Sequence, residues 1–136
     1  MGKSEYLHRG STTAILAAGS MAEVCKKAFD ALQGKGIDVT FVNARFIKPL
    51  DTGLLEELAA DHRLLVTVEE NVRSGGFGES VAAYIETHHP SIRVKSLAVP
   101  DIFVEQGSVE RLREKVGLTP EAICRAVEQD EDREAI

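Results

Sequence analysis

Short apolar runs alternate along this chain with stretches whose apolar positions recur every three or four residues. The first pattern is that of a buried strand and the second that of an amphipathic helix. Residues 12–16 read as a strand stopped by Gly19. Ser20 is placed as an N-cap, with Glu23 at capping-box spacing, and Met21, Val24, Cys25, Ala28 and Leu32 form one helical stripe. Gly34-Lys35-Gly36 ends that helix and residues 37–42 make the next strand. Asp51 caps a helix with Leu54, Leu55 and Leu58 on its apolar face. Residues 64–68 form an apolar run, which predicts a central strand buried on both faces. A helix over 78–88 carries Val81, Ala82, Tyr84 and Ile85 and is stopped by Pro90, and a strand covers 92–97. Ser108 is read as the cap of a helix over 109–116, with Leu112 inward and Gly117 closing it. Thr119-Pro120-Glu121 opens a last helix with the stripe Ile123, Cys124 and Val127.

This order predicts an α/β fold, a three-layer sandwich of a mainly parallel sheet with helices on both faces. No repeat, low-complexity stretch or long linker divides the chain, so residues 1–128 are expected to form one domain and the charged residues 129–136 a frayed tail.

At 136 residues the chain is long enough for a substantial core, and its net charge of -6 with no basic stripe argues against a nucleic-acid partner. No apolar stretch is long enough for a membrane span, and Met1-Gly2-Lys3-Ser4-Glu5 leads into no signal-peptide core. A cytoplasmic protein is expected. Cys25 and Cys124, both in helical patterns, fit two reduced small hydrophobes better than a disulfide.

Ligand motifs are sparse. Gly75-Gly76-Phe77-Gly78 does not extend to a dinucleotide fingerprint, because Val81 stands where the third glycine belongs. There is no P-loop and no nucleophile elbow, and His8, His62, His88 and His89 show no metal-ligand spacing. Glu69 and Glu70, at the end of the central strand, could share a proton or hold a cation. Adjacent strand residues point to opposite faces, so the other reading is one carboxylate in solvent and one capping amides of the glycine turn. Arg45 and Lys48 could bind phosphate or pair with acids of a neighbouring domain.

Three segments carry a resemblance. They are Asn43-Ala44-Arg45-Phe46-Ile47-Lys48-Pro49-Leu50-Asp51, then Val66-Thr67-Val68-Glu69-Glu70-Asn71-Val72 with Gly75-Gly76-Phe77-Gly78, and Val99-Pro100-Asp101-Ile102-Phe103-Val104-Glu105-Gln106-Gly107. In order and spacing they resemble the C-terminal domain of the 1-deoxy-D-xylulose-5-phosphate synthases. A more distant likeness joins transketolases and the beta subunits of 2-oxo acid dehydrogenases, which share the Glu-Glu and glycine pattern.

The resemblance implies a non-catalytic structural and interface domain. The full enzyme condenses pyruvate with glyceraldehyde 3-phosphate, towards isoprenoids, thiamine and pyridoxal cofactors. It uses thiamine diphosphate and magnesium held in upstream diphosphate-binding and pyrimidine-binding domains. This chain is expected to hold no cofactor and no metal and to be inactive alone, with those upstream domains and a homodimer mate as partners. It further implies five strands in the order 1-3-2-4-5, with residues 4–8 as an antiparallel first strand. The crevice where the order reverses would be lined by Ala18-Gly19-Ser20 and Glu69-Glu70-Asn71. Arg45, Lys48, Glu69, Glu70, Asn71 and Phe77 are the expected interface residues. The alternatives are an independent small-molecule-binding module using that crevice, and the equivalent domain of a transketolase or of a 2-oxo acid dehydrogenase beta subunit. Because Met1 precedes a segment resembling an interdomain joint, a separately encoded piece and a domain taken from a longer chain both stay open.

Overall fold

In the computed structural model the described residues are 5–44, 50–72, 76–99 and 118–135, with the side chains of 71–72, 99 and 131–135 left aside. Strands β1 (Glu5–His8), β2 (Thr13–Ala18), β3 (Thr40–Ala44), β4 (Leu64–Val72) and β5 (Arg93–Val99) form one sheet in the order β1-β3-β2-β4-β5. β1 runs antiparallel to β3, and the other neighbours are parallel. This is the order and direction implied by the resemblance. The expected helix over 109–116 and its cap Ser108 lie outside the described residues.

Each interior strand divides its apolar residues between two cores, because successive side chains leave the sheet on opposite faces. Ile15 and Ala17 of β2, with Leu64, Val66 and Val68 of β4, pack beneath α1 (Ala22–Gly34) and α4 (Pro120–Ala135). Ala14, Leu16 and Ala18 of β2, with Leu65 of β4, pack beneath α2 (Thr52–Ala59) and α3 (Phe77–His88). The helical stripes meet them as expected: Met21, Cys25, Ala28 and Leu32 are fully buried in the first core, and Leu54, Leu55 and Leu58 are buried in the second. Asp51 caps α2, its side chain accepting from the Leu54 amide at 3.1 Å. Both cysteines are free and buried, and burial pushes the Cys25 thiol up to about 12.

One local expectation is corrected. Ser20 does not cap α1. A single 3-10 turn over Gly19–Met21 intervenes, Met21 takes the N-cap position, and neither helix start has a side-chain cap. α4 runs across residue 128 to Ala135.

Polar side chains pin the amino ends of the strands. Asp130 on α4 is fully buried and pairs with Arg63, Nε to Oδ2 at 3.2 Å, and with Arg93. Arg63 also donates to Thr12 Oγ1 at 2.6 Å. Buried His62 bridges β3 and α2, its Nε2 2.7 Å from Thr40 Oγ1 and its Nδ1 3.0 Å from the Leu58 carbonyl.

Candidate functional site: the carboxyl edge of the sheet

Open α/β sheets present polar groups at the carboxyl ends of their strands, where the strand order reverses. Here the reversal flanks β2, with β3 on one side and β4 on the other. Towards its carboxyl end β4 carries Glu69 and Glu70, which depart to opposite faces and do different work.

Glu69 is 1% exposed. Its Oε1 accepts from the Phe77 amide at 2.8 Å and its Oε2 from the Gly78 amide at 2.6 Å. The N-cap residue of α3 is Gly76, which has no side chain to offer. Glu69 therefore satisfies two of the orphan amides from the neighbouring strand, and its charge sits at the positive end of the helix dipole. The helix start can come this close only because residue 78 lacks a Cβ. One built there would lie 2.6 Å from Thr67 Oγ1, 2.7 Å from Ser96 Oγ and 3.0 Å from Glu69 Oε2. Thr67 and Ser96 are themselves joined, hydroxyl to hydroxyl, at 3.1 Å.

Glu70 is half-buried and accepts from the hydroxyl of Ser20, which is exposed in the 3-10 turn ahead of α1. One strand end thus fastens the starts of two helices, one per layer. Of the two readings of this acid pair, the structure supports the capping one. It departs from that reading in that Glu70 is engaged by Ser20 instead of lying free in solvent.

The six expected interface residues separate accordingly. Arg45 and Lys48, and the side chain of Asn71, lie outside what is described. Glu69 is engaged by the α3 amides, and Phe77 is 4% exposed within the second core. Glu70 remains at the edge.

The sequence pattern missed the chain Thr40–His62–Asp61, in which His62 Nδ1 also lies 2.6 Å from Asp61 Oδ1. It has the order of a nucleophile relay but not its access. Thr40 is 1% exposed, its oxygen accepts from the Gly10 amide at 2.9 Å, and it sits at the amino ends of the strands. No spacing signal links residues so far apart in sequence. On the surface, Glu56 accepts from Tyr84 at 2.5 Å and meets His89 at 2.8 Å, tying α2 to α3. The Tyr84 hydrogen bond, then that of His89, holds the Glu56 carboxyl below its ordinary value, while the same bond pushes the Tyr84 phenol up.

Thiamine diphosphate, the cofactor implied by the resemblance, does not fit these residues. Its diphosphate needs a metal with oxygen ligands. Among the described residues there is no group of three His, Cys, Asp or Glu able to hold one, and the buried acid of the edge is committed to helix amides. A groove of about 300 Å³ lined by Ala31, Lys35, Pro120 and Cys124 lies between α1 and α4, away from the strand ends. Among the described residues no helix is long and apolar enough to cross a membrane.

Comparison with known proteins places this architecture. Residues 2–123 match the family described as Transketolase, C-terminal domain. The chain belongs to that family. Its curated relatives include the 1-deoxy-D-xylulose-5-phosphate synthase of Shouchella clausii (strain KSM-K16), 42% identical over 91% of this chain and 20% of that protein. The enzyme of the same name from Heliobacterium modesticaldum (strain ATCC 51547 / Ice1) is 39% identical over 98% of this chain and 21% of its own length. The chain therefore spans about a fifth of these relatives. Among solved structures, one titled "Split gene transketolase, inactive beta4 tetramer" superposes with a TM-score of 0.86 at 34% identity, over 94% of this chain and 42% of that one. A 2-oxoglutarate:ferredoxin oxidoreductase from Magnetococcus marinus, at 17% identity and a TM-score of 0.60, shares the fold.

Proposed function

We propose that this transketolase C-terminal domain serves a 1-deoxy-D-xylulose-5-phosphate synthase as a non-catalytic structural and interface domain. The enzyme condenses pyruvate with glyceraldehyde 3-phosphate using thiamine diphosphate and magnesium, and works in the cytoplasm as a dimer that supplies isoprenoid and thiamine synthesis. The substrate class rests on relatives of that name at about 40% identity over nearly the whole chain. The non-catalytic role is supported by one observation: Glu69, the buried acid of the switch-point edge, accepts an α3 amide on each of its two oxygens and so is placed as a cap for that helix. Arg45, Lys48, Glu70 and Asn71 are then contacts to the upstream domains or the dimer mate, and the cofactor is held by those domains.

Calorimetric titration of thiamine diphosphate with magnesium into the purified chain tests this reading. No saturable heat is expected. Saturable binding at micromolar affinity would overturn it and favour an independent ligand-binding module.

A further inference from the structure

We infer that Thr40 and His62 form a latch of fixed direction, in which neutral His62 carries its proton on Nδ1, accepts at Nε2 from the Thr40 hydroxyl, and through that hydroxyl couples the end of α2 to the chain crossing at Gly10. The latch is a conformational device of the fold and does not depend on the function proposed above.

The direction follows from the donors and acceptors that meet at the ring. Nδ1 faces two oxygens that only accept, the Leu58 carbonyl at 3.0 Å and the Asp61 carboxylate at 2.6 Å. Nδ1 therefore carries a proton. Nε2 lies 2.7 Å from Thr40 Oγ1, and that oxygen also accepts from the Gly10 amide at 2.9 Å. The hydroxyl hydrogen of Thr40 still needs an acceptor, in a place where Thr40 is 1% and His62 9% exposed. An unprotonated Nε2 supplies it. A second proton on the ring would make Nε2 a donor too. Thr40 Oγ1 would then receive two N–H groups, and its own hydrogen would lose the acceptor that the ring provides.

Position gives the latch its reach. Residues 9–12 join β1 to β2 and pass over the start of β3. At Gly10 this crossing lies against the neighbouring backbone: a Cβ built there would sit 2.3 Å from the Val39 carbonyl carbon and 2.8 Å from the Thr40 nitrogen. The Ser11 amide donates to the Asp38 carbonyl at 3.1 Å. On the other side, the His62 amide and Nδ1 both donate to the Leu58 carbonyl of α2. One buried hydroxyl thus joins the crossing to the helix end. Loss of the acceptor at Nε2 frees that hydroxyl to turn and loosens its hold on Gly10.

Nitrogen-15 NMR of His62 in the 136-residue chain at neutral pH reads the place of the proton. A protonated Nδ1 and a bare Nε2 are expected. A proton on Nε2, in the other tautomer or in the imidazolium, would overturn the latch. Amide hydrogen exchange at Gly10, measured relative to the interior strand β4, reads the coupling. His62→Asn keeps a donor near Nδ1 and removes the acceptor. It is expected to speed Gly10 exchange about tenfold, the effect of losing about one hydrogen bond. His62→Gln brings an amide oxygen near the place of Nε2 and is expected to leave Gly10 close to its original protection. Unchanged Gly10 protection in a folded His62→Asn chain, or an equal loss in both variants, would overturn the coupling. Should His62→Asn fail to fold, the place of the proton in the unsubstituted chain still decides.

Discussion

A methyl group is enough to distinguish the two kinds of glycine in this chain. At position 78 it would press on Thr67, Ser96 and Glu69, a polar cluster whose hydroxyls and carboxylate are already bonded. At Gly34, in the last turn of α1, it would meet nothing within 4 Å. Gly78→Ala is expected to cost about 1–3 kcal/mol, the range for overfilling a packed site. Gly34→Ala is expected to stabilise by about 0.4–1 kcal/mol, through loss of chain freedom in the unfolded state. Chemical denaturation of both variants decides, and equal effects would show that the α3 start is looser than its contacts indicate. The division of labour between Glu69 and Glu70 was legible in the sequence as one of two readings, because strand alternation sends neighbours to opposite faces. That Phe77 is core was not legible. A phenylalanine between glycines looks exposed until the helix that begins at it is seen to pack on the second core.

At the scale of elements, the interior strands and the helices over the two cores were legible because burial on both faces leaves few polar positions to blur the pattern. β1 carried no such signal. Its four residues alternate exposed and half-buried, a register shift falls between Tyr6 and His8, and Leu7 is 49% exposed. A short edge strand broken by a bulge is a common way to discourage edge pairing, and it erases the periodicity that would announce the strand. Composition likewise hid Asp130. In a run of acids it reads as solvated tail, yet it is fully buried and holds two arginines, one just before β4 and one opening β5. Removing one partner of a buried ionic group typically costs about 3–5 kcal/mol. Arg63 and Arg93 keep 31% and 36% of their side chains exposed, so water can take up part of their charge and the low end applies. Asp130→Ala is expected to cost about 3 kcal/mol in urea denaturation. A loss below about 0.5 kcal/mol, typical of surface positions, would show that α4 is not anchored there.

For the whole molecule, the two cores share one sheet, and that decides how the chain should unfold. β2 and β4 each contribute to both cores in alternation, so neither layer can leave without exposing a face of the same strands. Val66 lies in the core under α1 and α4, and Leu58 in the core under α2, both fully buried. Val66→Ala is expected to cost about 1–3 kcal/mol and Leu58→Ala about 2–5 kcal/mol, the larger loss following from the larger cavity. If the sheet couples the layers, each substitution moves a single urea transition, with the same midpoint by far-ultraviolet circular dichroism and by hydrogen exchange in both layers. The same result would show that the domain closes its core unaided, as an alternation of strands and helices around one sheet allows. Two separated transitions, with Val66→Ala moving one and Leu58→Ala the other, would mean that the layers fold independently. One face of the sheet would then depend on a neighbouring domain for its stability, and the order in which such an enzyme assembles would follow from that dependence.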